Sequence, residues 1–333
     1  MKKILFFALV AAALTACSSD SEAPQAPVAS KQPIVLGTGM PTMRSNKQDL
    51  QKTELEAGTT VGVYIYFKDE KTTNTTYTYG YKNIAYTVSG ATGDLAIVTA
   101  AEQPYYPDVK TQNVDIYAFA PRATTYTSNA ELNTLTAQDV FTTTADQTAE
   151  ADYRASDFVW GKLADRSAPT TAGTKQEITM DHMLSKVNIN IAAGDGVNYS
   201  SLSGAEIKLN GVKLEGTINF TTGAVSLSSA ATNTAKTVTL TSSTSDTGKL
   251  ADNTTNCYTS SAVVIPQDIA AADDFIEIKL SNGSTYKYKT TATTTFAAKT
   301  KYTYDITLSV AGIQLTTTIS DWTNGGTTPG TAE

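Results

Sequence analysis

His182 is the one imidazole in 333 residues, and Cys17 and Cys257 are the only thiols. Any catalytic or zinc site that needs two histidines is therefore excluded within one subunit. His182 precedes an alternating stretch, Val187, Ile189 and Ile191 against Asn188 and Asn190, and reads as a hydrogen-bonded structural histidine at a domain junction. Cys257 has no base near it in sequence and reads as a small buried hydrophobe rather than a nucleophile. Asp195 with Asn198, and Asp252 with Asn253, sit in Gly- or Thr-rich loops but lack the alternating acid spacing of a calcium loop. Glu150, Asp273 and Asp274 define no carboxylate pair whose separation the sequence fixes. No Gly-x-Ser-x-Gly, Walker or dinucleotide motif occurs. Trp160 and Trp322 read as core or interdomain anchors rather than sugar-stacking platforms. No enzyme activity, metal or cofactor is expected.

Cys17 is the thiol whose context does point to chemistry. Lys2 and Lys3 precede an apolar run over residues 4–13, and Leu14, Thr15 and Ala16 lead into the cysteine. The run is far shorter than the roughly 20 residues a membrane span needs, so residues 1–16 read as a cleaved signal peptide. Leu14-Thr15-Ala16-Cys17 resembles the bacterial lipobox, whose cysteine takes lipid through its thiol and becomes the new N-terminus. The acidic stretch from Ser18 to Glu22 is similar to the export signal that carries Bacteroides-group lipoproteins to the cell surface. Removing Lys2 and Lys3 with the signal takes the net charge from −7 to −9. Such an acidic chain lacks the clustered Lys and Arg that nucleic-acid binding draws on. With Cys17 lipidated, Cys257 is left without an intramolecular disulfide partner.

The elements around these residues read as strands. The chain holds 57 threonines, a β-branched type suited to the pleated, half-buried surface of a sheet. Residues 18–32 read as a disordered tether. Ile34, Val35 and Leu36, bounded by Pro33 and Gly37, read as a short buried strand. Arg44 follows in a polar, accessible loop and is a site for a trypsin-like or Arg-specific protease. Strands are expected over 61–67, 81–88, 114–119, 158–161, 178–191, 205–214, 217–220, 237–240, 258–265, 275–280, 285–288, 302–310 and 313–319. Many alternate, as Ile276, Ile278 and Leu280 do against Glu277 and Lys279. Asn282-Gly283 marks a hairpin, and residues 132–151 are the one helical candidate. So many short strands exceed one sandwich and fit two, with the boundary in the linker-like 167–174. The expected division is signal peptide 1–16, propeptide with a removable first strand 17–44, and β-sandwich domains at 45–172 and 173–333.

Several segments in order resemble the fimbrillin family of Bacteroidales, the type V pilins and their accessory subunits. They are Thr42-Met43-Arg44 before Val61-Gly62-Val63, Tyr105-Tyr106-Pro107 before the run from Val114 to Pro121, Ser156-Asp157-Phe158-Val159-Trp160, and the run from Asp181 to Val187. Further on come Gly216 to Phe220 with Thr222-Gly223, Val264-Ile265-Pro266-Gln267, Tyr302-Thr303-Tyr304 and Ile319-Ser320-Asp321-Trp322. The resemblance implies two tandem transthyretin-like β-sandwich domains and a structural role in a cell-surface fimbria supporting adhesion and biofilm formation. It implies a precursor lipidated at Cys17 in the outer membrane, cleavage after Arg44 by an Arg-specific or trypsin-like protease, and loss of the strand carrying Ile34, Val35 and Leu36. The vacated groove is then filled by a C-terminal donor strand of another fimbrial subunit, and a host or bacterial surface ligand is a further implied partner.

The last strand suits that part. Ile313, Leu315, Thr317 and Ile319 share one face, opposite Gln314, Thr316, Thr318 and Ser320, a pattern made for β-augmentation. Ala311-Gly312 is a joint where the chain can turn back or extend, and residues 323–333 read as a polar, disordered tail. The competing class is a monomeric surface glycan-binding lipoprotein, with the Tyr-rich stretch 77–86 as its sugar platform.

Overall fold

The computed structural model describes residues 31–39, 55–68, 71–73, 76–77, 80–90, 93–108, 112–123, 138–243, 248–250, 252, 254–272 and 274–322. The signal segment, Cys17, most of the tether, Arg44, Asn253, Asp273 and the tail after Trp322 lie outside the described residues. Within them the chain is all-β, with strands packed as sandwiches and one short helix, Glu150–Ser156. No helix among the described residues is long and apolar enough to cross a membrane.

The first unit is one eight-stranded sheet. Its order is Lys175–Thr179, Val35–Gly39, Asp94–Ile97, Gly80–Ser89, Thr60–Phe67, Val114–Ala120, Val159–Arg166 and Asp181–His182. Its central strands are buried on both faces, which is why they read as near-continuous apolar runs. Val61, Val63 and Ile65 face one core together with Ile116 and Ala118. Tyr64 and Tyr66 point the other way, into an aromatic cluster with Tyr117 and Phe119.

The second unit packs a five-stranded sheet (Gly248–Lys249, Asn256–Val264, Ser185–Ala193, Thr300–Ser309, Gly312–Asp321) on a four-stranded one (Lys236–Thr241, Glu206–Val212, Ile276–Lys279, Thr285–Tyr288). Val187, Ile189, Ile191 and Ile306 from the first of these meet Ile207, Leu209, Ile276 and Ile278 from the second. Asn282-Gly283 turns the last hairpin of the four-stranded sheet, with Gly283 at φ +90°, a conformation that glycine adopts without strain.

Two sequence expectations are corrected here. Residues 178–191 are not one strand. The Met180 N–H donates to the Gly39 carbonyl (2.7 Å) and the Met183 N–H to that of Phe158 (2.9 Å), so the chain finishes in one sheet before Ser185 opens the next. The 132–151 helix is likewise absent over most of its described part. Gln138–Thr142 is a strand paired with Glu215–Asn219, and the helix starts later, at Glu150, with Glu150 and Asp152 in its first turn, where acids favour the helix dipole. On the far side of the expected 172/173 division, Lys175–Thr179 and Asp181–His182 lie in the first sheet, and before it Gln138–Thr142 lies in a separate three-stranded sheet with Glu215–Asn219 and Val225–Leu227.

Tyr86 and Tyr106 lie in the first core with their hydroxyls buried and no hydrogen-bond partner among the described residues. Burial pushes both phenols above the usual tyrosine range. Replacing Tyr86 by Phe keeps the ring and removes an unsatisfied hydroxyl, so stability is expected to rise by about 1 kcal/mol, read as a higher urea midpoint. An unchanged or lower midpoint would show that the hydroxyl has a partner.

Candidate functional site

The leading strand, Val35–Gly39, lies between Lys175–Thr179, with which it pairs in parallel over five residues, and Asp94–Ile97, which it meets at Gly37 and Asp94. Alternation sends Ile34, Leu36 and Thr38 inward, each 1–2% exposed, and leaves Val35 half-buried. Burying Ile34 and Leu36 contributes about 1.5–3 kcal/mol each. The backbone is held at both ends. The Ile34 N–H donates to the Pro104 carbonyl (2.9 Å) and the Thr38 N–H to that of Gly93 (2.8 Å). The Thr38 hydroxyl donates to the same Gly93 carbonyl at 3.2 Å.

A charged clasp crosses this strand on its outer face. Lys175 Nζ is 2.6 Å from Asp94 Oδ1 and 2.6 Å from Glu177 Oε1, and hydrogen bonds to Asp94 and then Glu177 hold the ammonium above the usual lysine range. The clasp passes over Gly37, where a Cβ would lie 2.6 Å from Glu177 Oε2 and 2.9 Å from Lys175 Cδ. Gly93, at φ +68°, lets the backbone approach just as closely, since a Cβ there would meet the Thr38 carbonyl oxygen at 2.0 Å. Withdrawing the leading strand would uncover an apolar slot and a row of unpaired backbone groups.

The closing strand, Gly312–Asp321, pairs antiparallel with Thr300–Ser309 over ten residues and forms an edge of the five-stranded sheet. Gly312, at φ +136°, makes the turn, so the Ala311-Gly312 joint folds back here. Ile313, Leu315 and Ile319 pack partly on the second core, Thr317 is half-buried on the same face, and Gln314 and Thr316 are exposed. Four of the residues expected on one face therefore share it, on a strand with one side already paired and the other at the sheet edge.

Trp322 follows that strand and anchors it at the junction of the two units. Its ring stacks on His182, with centroids 4.1 Å apart and planes 7° from parallel, and its backbone N–H donates to the Lys299 carbonyl at 2.8 Å. His182 Nδ1 lies 2.9 Å from Asp157 Oδ1, both residues buried. Trp160 is half-buried, and its Nε1–H donates to the Phe220 carbonyl at 2.7 Å. Gln147 ties the units by imitating a strand: its side-chain amide donates to the Val263 carbonyl (2.9 Å) and accepts from the Val263 N–H (2.8 Å).

Several of the remaining chemical candidates among the described residues are taken up by local structure. Asp252 accepts from the N–H groups of Thr254 and Thr255, both at 2.9 Å. The Thr255 hydroxyl, followed by these N–H bonds, holds its carboxyl below the usual range. Asn198 caps a short 3-10 turn, Glu150 pairs with Arg154, and Asp274 approaches Lys287 at 3.9 Å. Cys257 is fully buried beside Ala192 and Leu250. Among the described residues no group of three or more His, Cys, Asp or Glu could hold a metal ion. Of the tyrosines in the 77–86 stretch, Tyr86 is buried and the Tyr81 hydroxyl accepts from the Tyr105 N–H at 3.1 Å.

Residues 45–322 match the profile of the family described as fimbrillin-like. The chain belongs to that family. Residues 1–18 match a prokaryotic membrane lipoprotein lipid attachment site, a span that contains Cys17. A curated relative, Fim1C of Bacteroides uniformis, named provisionally as a fimbrium subunit, is 26% identical over 340 residues, covering 100% of this chain and 99% of its own. A provisionally assigned cell adhesion protein from Bacteroides ovatus shares the fold with a TM-score of 0.65 at 17% identity, over 88% of this chain and 98% of that one. A second, from Bacteroides uniformis, has a TM-score of 0.59 at 19% identity, over 87% and 98%. The fimbrillin-like chain is thus a membrane-anchored lipoprotein of a structural fimbrial family. Sequence reasoning placed the leading and closing strands but missed the clasp of Lys175, Asp94 and Glu177, the close approach at Gly93 and the Gln147 tie. Only Gly93, between Thr92 and Asp94, carried a local signal, that of a turn.

Proposed function

We propose that this chain is a structural subunit of a cell-surface fimbria that polymerises by strand exchange. It reaches the outer membrane as a precursor lipidated at Cys17, is cut after Arg44 by an Arg-specific or trypsin-like protease, and loses its leading strand. The closing strand of the next subunit, through Ile313, Leu315, Thr317 and Ile319, then fills the slot, and the resulting filament supports adhesion and biofilm formation. The observation that carries this reading is the placement of Ile34 and Leu36: a short strand near the start of the chain fills a core slot, and Arg44 stands between it and the next strand in sequence.

The energetics favour that order of events. While the loop is intact the leading strand is an intramolecular ligand with a high effective concentration, and cleavage abolishes that advantage. A competing strand that is part of another folded subunit can then replace it. A head-to-tail contact of this kind does not close on itself and propagates into a filament. The 26% identity to a protein named as a fimbrium subunit supports the same role.

The test is to treat the purified precursor with an Arg-specific protease. A new N-terminus at Ser45 followed by a ladder of multimers is expected. Complete release of the leading strand with the protein remaining monomeric at high concentration would overturn the reading.

A further inference from the structure

The leading strand turns Ile34, Leu36 and Thr38 into the core, at alternate positions. The closing strand carries Ile313, Leu315 and Thr317 at the same spacing and in the same chain direction, and in sequence the match runs one step further, Met40 against Ile319. We propose that the vacated groove receives the closing strand of a second copy of this chain, running in the direction of the leading strand, with Ile313 in the place of Ile34, Leu315 in that of Leu36 and Thr317 in that of Thr38. The subunit then polymerises with itself in one register. This rests on the strand-exchange reading and specifies the partner and the register that reading leaves open.

Backbone bonds alone do not select an occupant. The Pro104 and Gly93 carbonyls and the Met180 N–H bind main-chain groups of the leading strand, and any extended segment offers the same groups. Selection falls on the inward side chains. The third slot holds a hydroxyl against the Gly93 carbonyl, and Thr317 remakes that bond. Sliding the closing strand so that Leu315 takes the place of Ile34, or reversing it about Thr316 at Gly37, puts Thr317 into the Leu36 slot. Either change buries a hydroxyl among apolar neighbours and sets an aliphatic chain against the Gly93 carbonyl, both unfavourable.

The outer face agrees with the same register. A Cβ in the place of Gly39 meets nothing within 4 Å among the described residues, which leaves room for Thr318 there. Thr316 in the place of Gly37 meets the Lys175 stem at Cδ and the Glu177 carboxylate, flexible side chains that move aside and open the clasp. The clasp is therefore a lock for the leading strand that the incoming strand does not share.

Engineered cysteines read the register directly. Gly39 pairs with Thr179, so the proposal brings Thr318 of one copy opposite Thr179 of the next, and paired strand positions lie within disulfide reach. In the full-length precursor Cys17 leaves with the cleaved segment and Cys257 is buried. After Arg-specific cleavage and oxidation, the Thr179→Cys, Thr318→Cys double variant is expected to give a covalent ladder on a non-reducing gel. The Thr179→Cys, Gln314→Cys variant is expected to give only multimers that dissociate on denaturation. The opposite pattern would show a reversed strand, and multimers with neither crosslink would show another register or another surface; both overturn the proposal. Absence of multimers from the processed, unsubstituted chain would instead overturn strand exchange itself, and the self-pairing with it.

Discussion

Replacing Trp322 by Ala is expected to lower the stability of the unprocessed chain by about 3–5 kcal/mol, the usual range for deleting a buried aromatic. Trp322 is 1% exposed and belongs to a cluster with Tyr64 and Phe119 from the first sheet and Val263 from the five-stranded sheet, joined by Met183 and Ile218. Its loss leaves a cavity at the junction and removes the stacked partner of His182. A Trp322→Phe variant, which keeps part of the stack, is expected to lose less. Urea unfolding measures both, and a loss below about 1 kcal/mol for the alanine variant would show that the junction collapses around the gap.

Leu315→Asp is expected to separate folding from assembly. In the monomer Leu315 is half-buried on an edge strand, so a charge there can reach water and the fold survives with a cost of about 1–2 kcal/mol. In the exchanged strand the same position enters a slot now held by Leu36, which is 1% exposed. An unpaired carboxylate cannot be accommodated there, and the ladder seen after Arg-specific processing is expected to vanish. The check is a normal unfolding curve together with a gel showing monomer alone. A full ladder from this variant would exclude Leu315 from the contact.

The two variants probe features that differ in how far the sequence reveals them. Alternation gives the faces correctly: Ile276, Ile278 and Leu280 are buried while Lys279 is exposed, and Val187, Ile189 and Ile191 all enter the second core. Pairing partners are less visible because period-2 patterning specifies a face and not a neighbour. Nothing local in Lys175–Thr179 announces that it runs parallel to a strand so far upstream. Gln138–Thr142 falls in a segment that reads locally as helix, because its strand character comes from pairing with Glu215–Asn219, a tertiary context that overrides local propensity. His182 is legible as a junction residue, but its contacts with Asp157 and Trp322 depend on chain segments that meet only in the fold.

The short connection between the two units sets how the subunit would respond to traction. In a strand-exchanged filament, pull enters at the groove, whose wall is Lys175–Thr179, and leaves through Ser309 toward the donated strand. Residues 180–184 offer little slack between groove and second sheet, being pinned by Met183 to Phe158 and Lys299 to Leu184. The pull therefore passes to Ser185–Ala193 and across to its parallel neighbour Thr300–Ser309, joined by nine registered pairs. Because the strands are parallel, the chain is gripped at the start of one and the end of the other. Every rung of that ladder is strained together in shear, whereas an antiparallel arrangement gripped at one end would open rung by rung like a zip.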